Sequence, residues 1–362
     1  MALTNTMMQP IISMYEKDRL DKWEILFSRY GVWAAFLGET NTAGNILSPV
    51  NKKNLENSWG NTVPIPILTG DVLSIGTTYS CTISDQENTS NKYTPTFSGY
   101  AWGFNMYPGQ YKVGDQPINY VQYQDDFTHK ANEYLLALMT SVDTTSRNIL
   151  ETNKNTYWTA NIANYYANTG DALQIPQSDK NDAFNKLFSV CQEMDLYEQS
   201  LVVASTSLRT LTTRLENQGE GNAINEGFQF KLGAFRWTGS NRVLNNAGTQ
   251  STGYIVQPGA IAVFNRNAPD FRAKNQIGGG AIPVTKFDTM MLPRLNMEVG
   301  TFYKATCAAS PSATSYLSQP LQATVQEGFG FNTEIGWITA AQGNSSPSTK
   351  VVPIVKFEIS NT

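Results

Sequence analysis

Between Asp125 and Trp158, apolar residues fall at Phe127, Ala131, Tyr134, Leu135, Leu138, Met139, Val142, Ile149 and Leu150. Steps of three and four of this kind lay one apolar stripe along a helix. Asp125 or Asp126 is expected to cap the first turn by accepting orphan backbone N–H bonds, and neither Pro nor Gly interrupts before Gly170. A helix from Asp126 to about Leu150 would span roughly 37 Å at 1.5 Å per residue. Helices in globular proteins average about three turns, so this one is expected to act as a spine for the rest of the chain.

Before the spine the pattern is mostly extended. Pro10–Phe27 is helical in pattern, with Ile12, Leu20, Trp23 and Phe27 on one face. It is followed by GVWAAFLGET and a Gly/Asn/Pro-rich run to Trp59. Short isolated helices are marginal in water, so residues 1–58 are expected to lean on their own chain or on a neighbouring copy. From Asn61 to Tyr123, alternation and β-branched residues predict strands, with Pro64 and Pro66 demoting the first to an edge. The aromatic run Tyr100, Trp102, Phe104, Tyr107, Tyr111, Tyr120 and Tyr123 completes a long two-stranded excursion that returns to the spine. A lone hairpin is barely stable, so that aromatic surface implies contact with something else.

After the spine, Trp158–Ile175 reads as irregular or partly helical, and Asp179–Leu196 as a helix with Phe184, Leu187, Phe188 and Cys191 on its face. A β run, Ser200–Ser205, leads into TSLRTLTTRLENQ, a helix that Thr206 or Ser207 can cap and that carries Leu208, Leu211 and Leu215. A Gly-rich loop (Gly219–Gly227) follows, then strands in FQFKLGAFRWTGSNRV and Ser251–Asn267, and further strands from Pro283 to the end. No internal repeat or low-complexity linker separates these segments, which predicts an α+β fold with interleaved lobes.

Composition narrows the function. Of 362 residues 41% are hydrophobic and only 15% charged, with a formal net charge of −4. That charged fraction is well below the usual quarter or so. Neutral polar surface can be buried against a neighbour without the desolvation cost of charge. The slightly acidic balance lacks the basic patch of a sequence-specific nucleic-acid binder. Cys81, Cys191 and Cys307 are far apart and unpaired in spacing, the pattern of buried free thiols and compatible with a reducing compartment. The N-terminal stretch has no basic n-region or apolar h-region of a signal peptide, and no run approaches the roughly 18 apolar residues of a membrane span.

The inventory for chemistry is thin. His129 is the single histidine, so Ser–His–Asp and Cys–His catalysis and a His-based zinc site have no second partner to draw on. GEGNAINEG has no Lys-Ser/Thr ending and no strand-to-helix context, so it is neither a P-loop nor a dinucleotide fingerprint, and Gly278–Gly280 reads as a turn. The Asp125–Asp126 pair suits a helix start better than a glycosidase. No residue is assigned a catalytic, cofactor or metal role, and the chain reads as one that makes contacts rather than bonds. Trp and Tyr also stack on sugars, which gives the alternative of a β-rich carbohydrate-binding protein, without defensible acid/base candidates.

The order of elements resembles that of the major capsid proteins of tailed bacteriophages, the HK97-like fold. The local part of the likeness is SLVVASTSLRTL, followed by the Asn/Gly-rich loop, LGAFRWTGSNRV and STGYIVQPGAIAVFNRNAPDF. The resemblance implies an N-terminal arm (1–58), an extended β E-loop (59–123), a peripheral lobe with the spine helix (124–197), an axial lobe (198–290) and closing strands that return to the peripheral lobe (291–362). It implies a non-enzymatic virion protein that self-assembles into pentamers and hexamers of an icosahedral shell enclosing double-stranded DNA. Scaffold, portal and decoration proteins are its further partners, host cytoplasm the place of assembly, and a tail or portal-associated protein the runner-up. Trp23, Phe27, Trp102, Phe104, Tyr107, Tyr111, Asn222 and Asn225 are the residues it nominates for subunit contacts. Some members carry Lys–Asn cross-links; Lys92 and Lys112 lie on the E-loop, where a lysine is ordinarily just solvated.

Overall fold

The computed structural model describes residues 31–40, 47–57, 65–68, 90–93, 97–111, 119–169, 171–180, 182–196, 200–208, 235–267, 276–277, 284–292, 297–307, 325–340 and 351–361. The Pro10–Phe27 helix, most of the helix after Ser205, and the Gly219–Gly227 and Gly278–Gly280 stretches lie outside these residues. Four helices are described: α1 (Gly31–Thr40), α2 (Pro49–Asn57), the spine α3 (Tyr120–Thr152) and α4 (Ala183–Glu193). The strands run from β1 (Ile65–Leu68), β2 (Ser90–Tyr93) and β3 (Phe97–Met106) before the spine to β4 (Ala167–Thr169) and β5 (Ala172–Ile175) after it. Then come β6 (Leu201–Ser205), β7 (Arg236–Ser240), β8 (Thr249–Val256), β9 (Ile261–Arg266) and β10 (Gln276–Ile277). The last four are β11 (Val284–Leu292), β12 (Met297–Cys307), β13 (Val325–Thr339) and β14 (Ile354–Ser360).

The spine is 33 residues long, about 50 Å at 1.5 Å per residue. Its cap lies six or seven residues before the expected Asp125 or Asp126. Asn119 is the N-cap, its side-chain oxygen accepting from the Gln122 N–H at 3.3 Å, while Asp126 sits inside the helix, paired with Lys130 at 3.0 Å. The segment Tyr120–Tyr123, expected as strand, is helical because Tyr123 extends the buried stripe one step upstream of Phe127. The buried positions climb in steps of four: 123, 127, 131, 135, 139, 143, and beside them 138, 142, 146, 150. Each such step overshoots a full turn by about 40°. The stripe therefore winds round the helix, and the two ends of the spine face different partners. Ser146 is fully buried in it at little cost, because its hydroxyl donates to the Val142 carbonyl at 2.9 Å.

Those partners are two six-stranded sheets. In the first, β13 is the axis: β3 runs antiparallel along one edge, and β12 and β9 share the other, with β11 and β10 beyond β12. The aromatic strand β3, expected as part of a two-stranded excursion that contacts something else, pairs with β13 of its own chain. Only β1 and β2 form the separate two-stranded antiparallel sheet. The second sheet has the order β4-β5-β14-β8-β6-β7, with β5–β14 and β6–β7 parallel. Here β14 crosses from the closing segment into a sheet built from the 198–290 segment, while β10 and β11 of that segment join the first sheet. Trp158–Ile175, expected as irregular or partly helical, holds a 3-10 helix at Ala160–Asn164 and then supplies the second sheet's edge through β4 and β5, whose Ala172, Leu173 and Ile175 are buried.

Strand alternation sorts the second sheet's side chains into two cores. Leu201, Val203, Tyr254, Val256 and Ile354 face the spine and α1, together with Val32, Trp33, Leu138 and Val142. Val202, Ala204, Ile255, Val355, Phe357 and Ile359 face the other way, onto Ala183, Phe184, Leu187, Val190 and Cys191 of α4. Helix α4 matches its expected face and ends with Asp195 in the left-handed region at φ 54. There Leu196 N–H bonds the Cys191 carbonyl at 2.9 Å, and Asp195 N–H bonds that of Gln192 at 3.0 Å. Between β8 and β9 the chain turns at Pro258-Gly259: Ala260 N–H bonds the Gln257 carbonyl at 3.1 Å, with Gly259 at φ 81.

Both sheets set a glycine opposite a phenylalanine, Gly253 against Phe357 and Gly330 against Phe302. In each case the ring lies over the glycine, in the space a Cβ would occupy. Phe357 is fully buried and has no room to yield, whereas Phe302 is half-buried and can swing outward. Gly253→Ala is expected to cost about 2 kcal/mol by overpacking, read as a lower denaturant midpoint at unchanged slope. Gly330→Ala should cost clearly less; equal losses, or none at Gly253, would show that ring confinement does not decide the outcome.

Candidate interaction surface

At the N-terminal end of the spine the chain folds back on itself. A short 3-10 turn, Pro108–Tyr111, follows β3, and Asn119 N–H reaches the Tyr111 carbonyl at 2.9 Å, so the turn and the helix start are tied together. Around this end large apolar side chains are left in solvent: Tyr120 and Val121 are 69% and 70% exposed, and Tyr107 is 36% exposed. Leu136 and Tyr134 lie partly open further along the spine. Ordinary proteins expose single apolar residues, but three aromatic or branched side chains at one helix end form a patch that suits contact.

The nominated residues divide. Tyr107 is on this patch. Tyr111 is half-buried, its hydroxyl hydrogen-bonded to Asp126 and its ring edge-on to Tyr123 at 5.2 Å. Trp102 is half-buried and stacked on Phe331 at 5.4 Å, so one face of it is spent within the subunit. Phe104 is buried among Phe127, Tyr134, Phe329 and Phe331 and offers no surface to a neighbour. Trp23, Phe27, Asn222 and Asn225 lie outside the described residues, as does Lys112; Lys92 is on β2, paired across from Pro66. Sequence reasoning placed Tyr120 on a strand and passed over Val121. The signal for both was the apolar stripe itself, which runs on to Tyr123 and leaves its helical neighbours facing outward.

Beneath the surface, three polar clusters hold the spine. Near its start, Tyr123 and Tyr303 hydroxyls both donate to Glu327, the latter at 2.9 Å. Burial, together with that carboxylate, raises both phenols far above their ordinary value. The Tyr111 hydroxyl holds Asp126 below the usual carboxylate range against the effect of burial, with help from Lys130. At mid-spine, Asp143 is fully buried and accepts from the Trp33 N–H at 2.9 Å and the Ser240 hydroxyl at 3.0 Å. At the far end, Glu151 receives Lys154 at 2.7 Å, Lys356 at 3.1 Å and the Tyr254 hydroxyl. Lys356 also meets Glu358 at 3.2 Å, and Glu358 accepts from Gln174 at 3.0 Å and Asn246 at 2.6 Å. These clusters are hydrogen-bonded internally and tie elements together.

His129 is on the exposed side of the spine, 3.4 Å from Glu133 Oε1, with both side chains in solvent. Cys191 is buried and unpaired, and burial pushes its thiol up to about 12, the state of an inert structural cysteine. Cys81 and the side chain of Cys307 lie outside the described residues. Among the described residues no three of His, Cys, Asp and Glu are placed to hold a metal ion, and no helix is long and apolar enough to cross a membrane.

No family model and no curated protein matches the sequence. Solved structures do resemble the fold. A chain of Mycobacterium phage Che8 is 14% identical, with 86% of this chain and 89% of that one covered, at a TM-score of 0.45. The capsid of an empty GTA particle is 10% identical over 84% of this chain and 93% of its own, at 0.44. The holo-SrpI encapsulin complex of Synechococcus elongatus is 8% identical over 90% and 94%, at 0.37. These are likenesses to solved structures at low sequence identity.

Proposed function

We propose that this chain is a shell-forming structural protein, the HK97-like major capsid protein of a tailed bacteriophage. In this reading copies of the chain close into pentamers and hexamers of an icosahedral shell around double-stranded DNA. They assemble in the host cytoplasm and remain in the virion, with scaffold, portal and decoration proteins as further partners. The observation that carries the reading is the two-stranded β1–β2 sheet, which stands apart from both six-stranded sheets. A two-stranded sheet is marginal in water on its own, and it is joined through β3 to a spine whose start exposes Tyr107, Tyr120 and Val121. A small separate sheet that needs cover and exposed apolar side chains that need the same are what a heterologous, ring-closing contact uses. Many such contacts summed over a shell give high avidity from weak individual bonds. The polar clusters fit the same reading, since each ties the spine to another element of the chain.

Negative-stain electron microscopy of the purified chain tests this. Closed particles, or rings of five and six subunits, are the expected result. Monomers that persist in crowded, near-neutral solution would overturn it, and tubes or a single ring type would replace it with a tail or portal-associated role.

A further inference from the structure

Asp143 joins three elements that are distant in sequence. Its Oδ1 accepts from the Trp33 N–H at the start of α1, and its Oδ2 from the Ser240 hydroxyl at the end of β7. The Val32 N–H points to the same carboxylate. Around this point the backbones are close enough that a Cβ at Gly31 would collide with the Gly239 carbonyl. The Trp33 ring is edge-on to Trp337 at 6.5 Å. The first turn of α1, the edge strand β7 and the middle of the spine therefore meet at one fully buried carboxylate.

That carboxylate has no cation in contact among the described residues. From the turn after β7, Arg242 acts on it only at a distance; its guanidinium donates to Thr140 at 3.3 Å, and its backbone N–H to the Ser240 oxygen at 3.1 Å. On the spine, Arg147 is one turn further on and donates to Asn148 at 3.1 Å. Helix α1 presents amides and no side-chain charge to Asp143. Burying an ionised carboxylate without an ion pair is costly, and protonation removes the cost. The geometry accepts the proton as well. A hydroxyl both donates and accepts, so Ser240 can reverse its bond and accept from a protonated Asp143 while the amides keep theirs.

We propose that this junction is a proton-controlled latch, which holds α1 and β7 to the spine more firmly in mildly acidic than in neutral or alkaline solution. The direction follows from linkage. Burial raises the Asp143 carboxyl to about 6, against the opposing pull of the Trp33 amide, Ser240 and Arg242. A group whose folded-state value is raised binds its proton more tightly when folded, so the support it gives is full below its unfolded value and is lost as pH climbs through about 6. The latch is a property of the single subunit and stands or falls separately from the shell reading.

Hydrogen exchange on the full chain, held in one assembly state, tests it. After correction for intrinsic rates, the α1 amides Val32–Phe36 should be about tenfold better protected at about pH 5 than at about pH 8. Amides around Glu151 should show no such change and serve as the internal control. Asp143→Asn keeps an acceptor for Trp33 and donates to Ser240 at every pH, so it should remove the slope and keep α1 protected at about pH 8. Flat α1 protection in the natural chain, or a slope that survives in Asp143→Asn, would overturn the latch. So would failure of Asp143→Asn to fold, because that variant imitates the protonated side chain.

Discussion

Leu138→Asp is expected to leave little folded chain in the soluble fraction. Leu138 is 4% exposed and belongs to the buried cluster that also holds Phe104, Val142, Val203 and Phe331. Leu138 lies about midway along the winding stripe. The substitution removes about 2 kcal/mol of apolar burial and places a carboxylate where no polar partner is available, a further cost of several kcal/mol. Together these approach the whole stability of an ordinary domain, about 5–15 kcal/mol. Ser141→Asp is the matched control: it adds the same charge one turn along on the exposed face and should shift stability by no more than about 0.5 kcal/mol. Circular dichroism and sedimentation of the two variants decide the matter. Native-like, soluble Leu138→Asp would mean that this face of the spine is not what joins the sheets.

The same stripe shows how far the sequence could be read. Phe127, Leu135, Leu138 and Val142 have the period of a helix and nothing to compete with it, so the spine was legible. Its start was not, because YVQYQ alternates like a strand and only Asn119, one residue earlier, marks the true cap. Strands β6, β8, β9 and β14 announced themselves by β-branched runs, but their partners could not be inferred. Pairing is a long-range choice that alternation does not encode, so neither the place of β14 between β5 and β8 nor the pairing of β3 with β13 could be read from the sequence. The polar clusters lay in plain view and went unread. Asp143 interrupts the four-step ladder of buried positions that begins at Tyr123, and Lys356 and Glu358 stand two apart in the apolar run Ile354–Ile359. An ionisable group at such a position signals a buried polar partner, a cation or anion at Lys356 and Glu358 and amide and hydroxyl donors at Asp143, since it cannot stay there without one. The aromatic residues proposed for subunit contacts were sorted by environment alone: Phe104 turned inward and Tyr107 outward, although both sit on one aromatic run.

Lys356→Met should cost about 3 kcal/mol or more in a urea titration near neutral pH. The methionine keeps most of the volume and removes the ammonium that lies between Glu151 at 3.1 Å and Glu358 at 3.2 Å, all three side chains being largely buried. Removing one partner of such a cluster leaves charge uncompensated, which is typically worse than never having had the pair. Glu151 keeps Lys154 at 2.7 Å and Glu358 keeps its Gln174 and Asn246 donors, so the loss is that of one partner and not of the whole hub. Pairing with Glu151→Gln gives the cleaner measure. If the charges act together, the double variant loses less than the sum of the two single losses; additive losses would mean that Lys356 contributes packing alone. The acid limb tells the same story from the other side. Burial would raise the Glu151 carboxyl, but Lys154, Tyr254 and Lys356 outweigh it and hold it down to about 2. A depressed carboxylate lends stability above its unfolded value and loses it as pH falls through the folded one, so the hub should fail between about pH 4.5 and about pH 2. Without Lys356 the lower edge of that window should move up, so that acid removes less stability from the variant than from the natural chain. Asp143 has the opposite sign, because it lacks the cation that Glu151 has. Mild acid therefore tightens the α1 junction before it begins to loosen the far end of the spine.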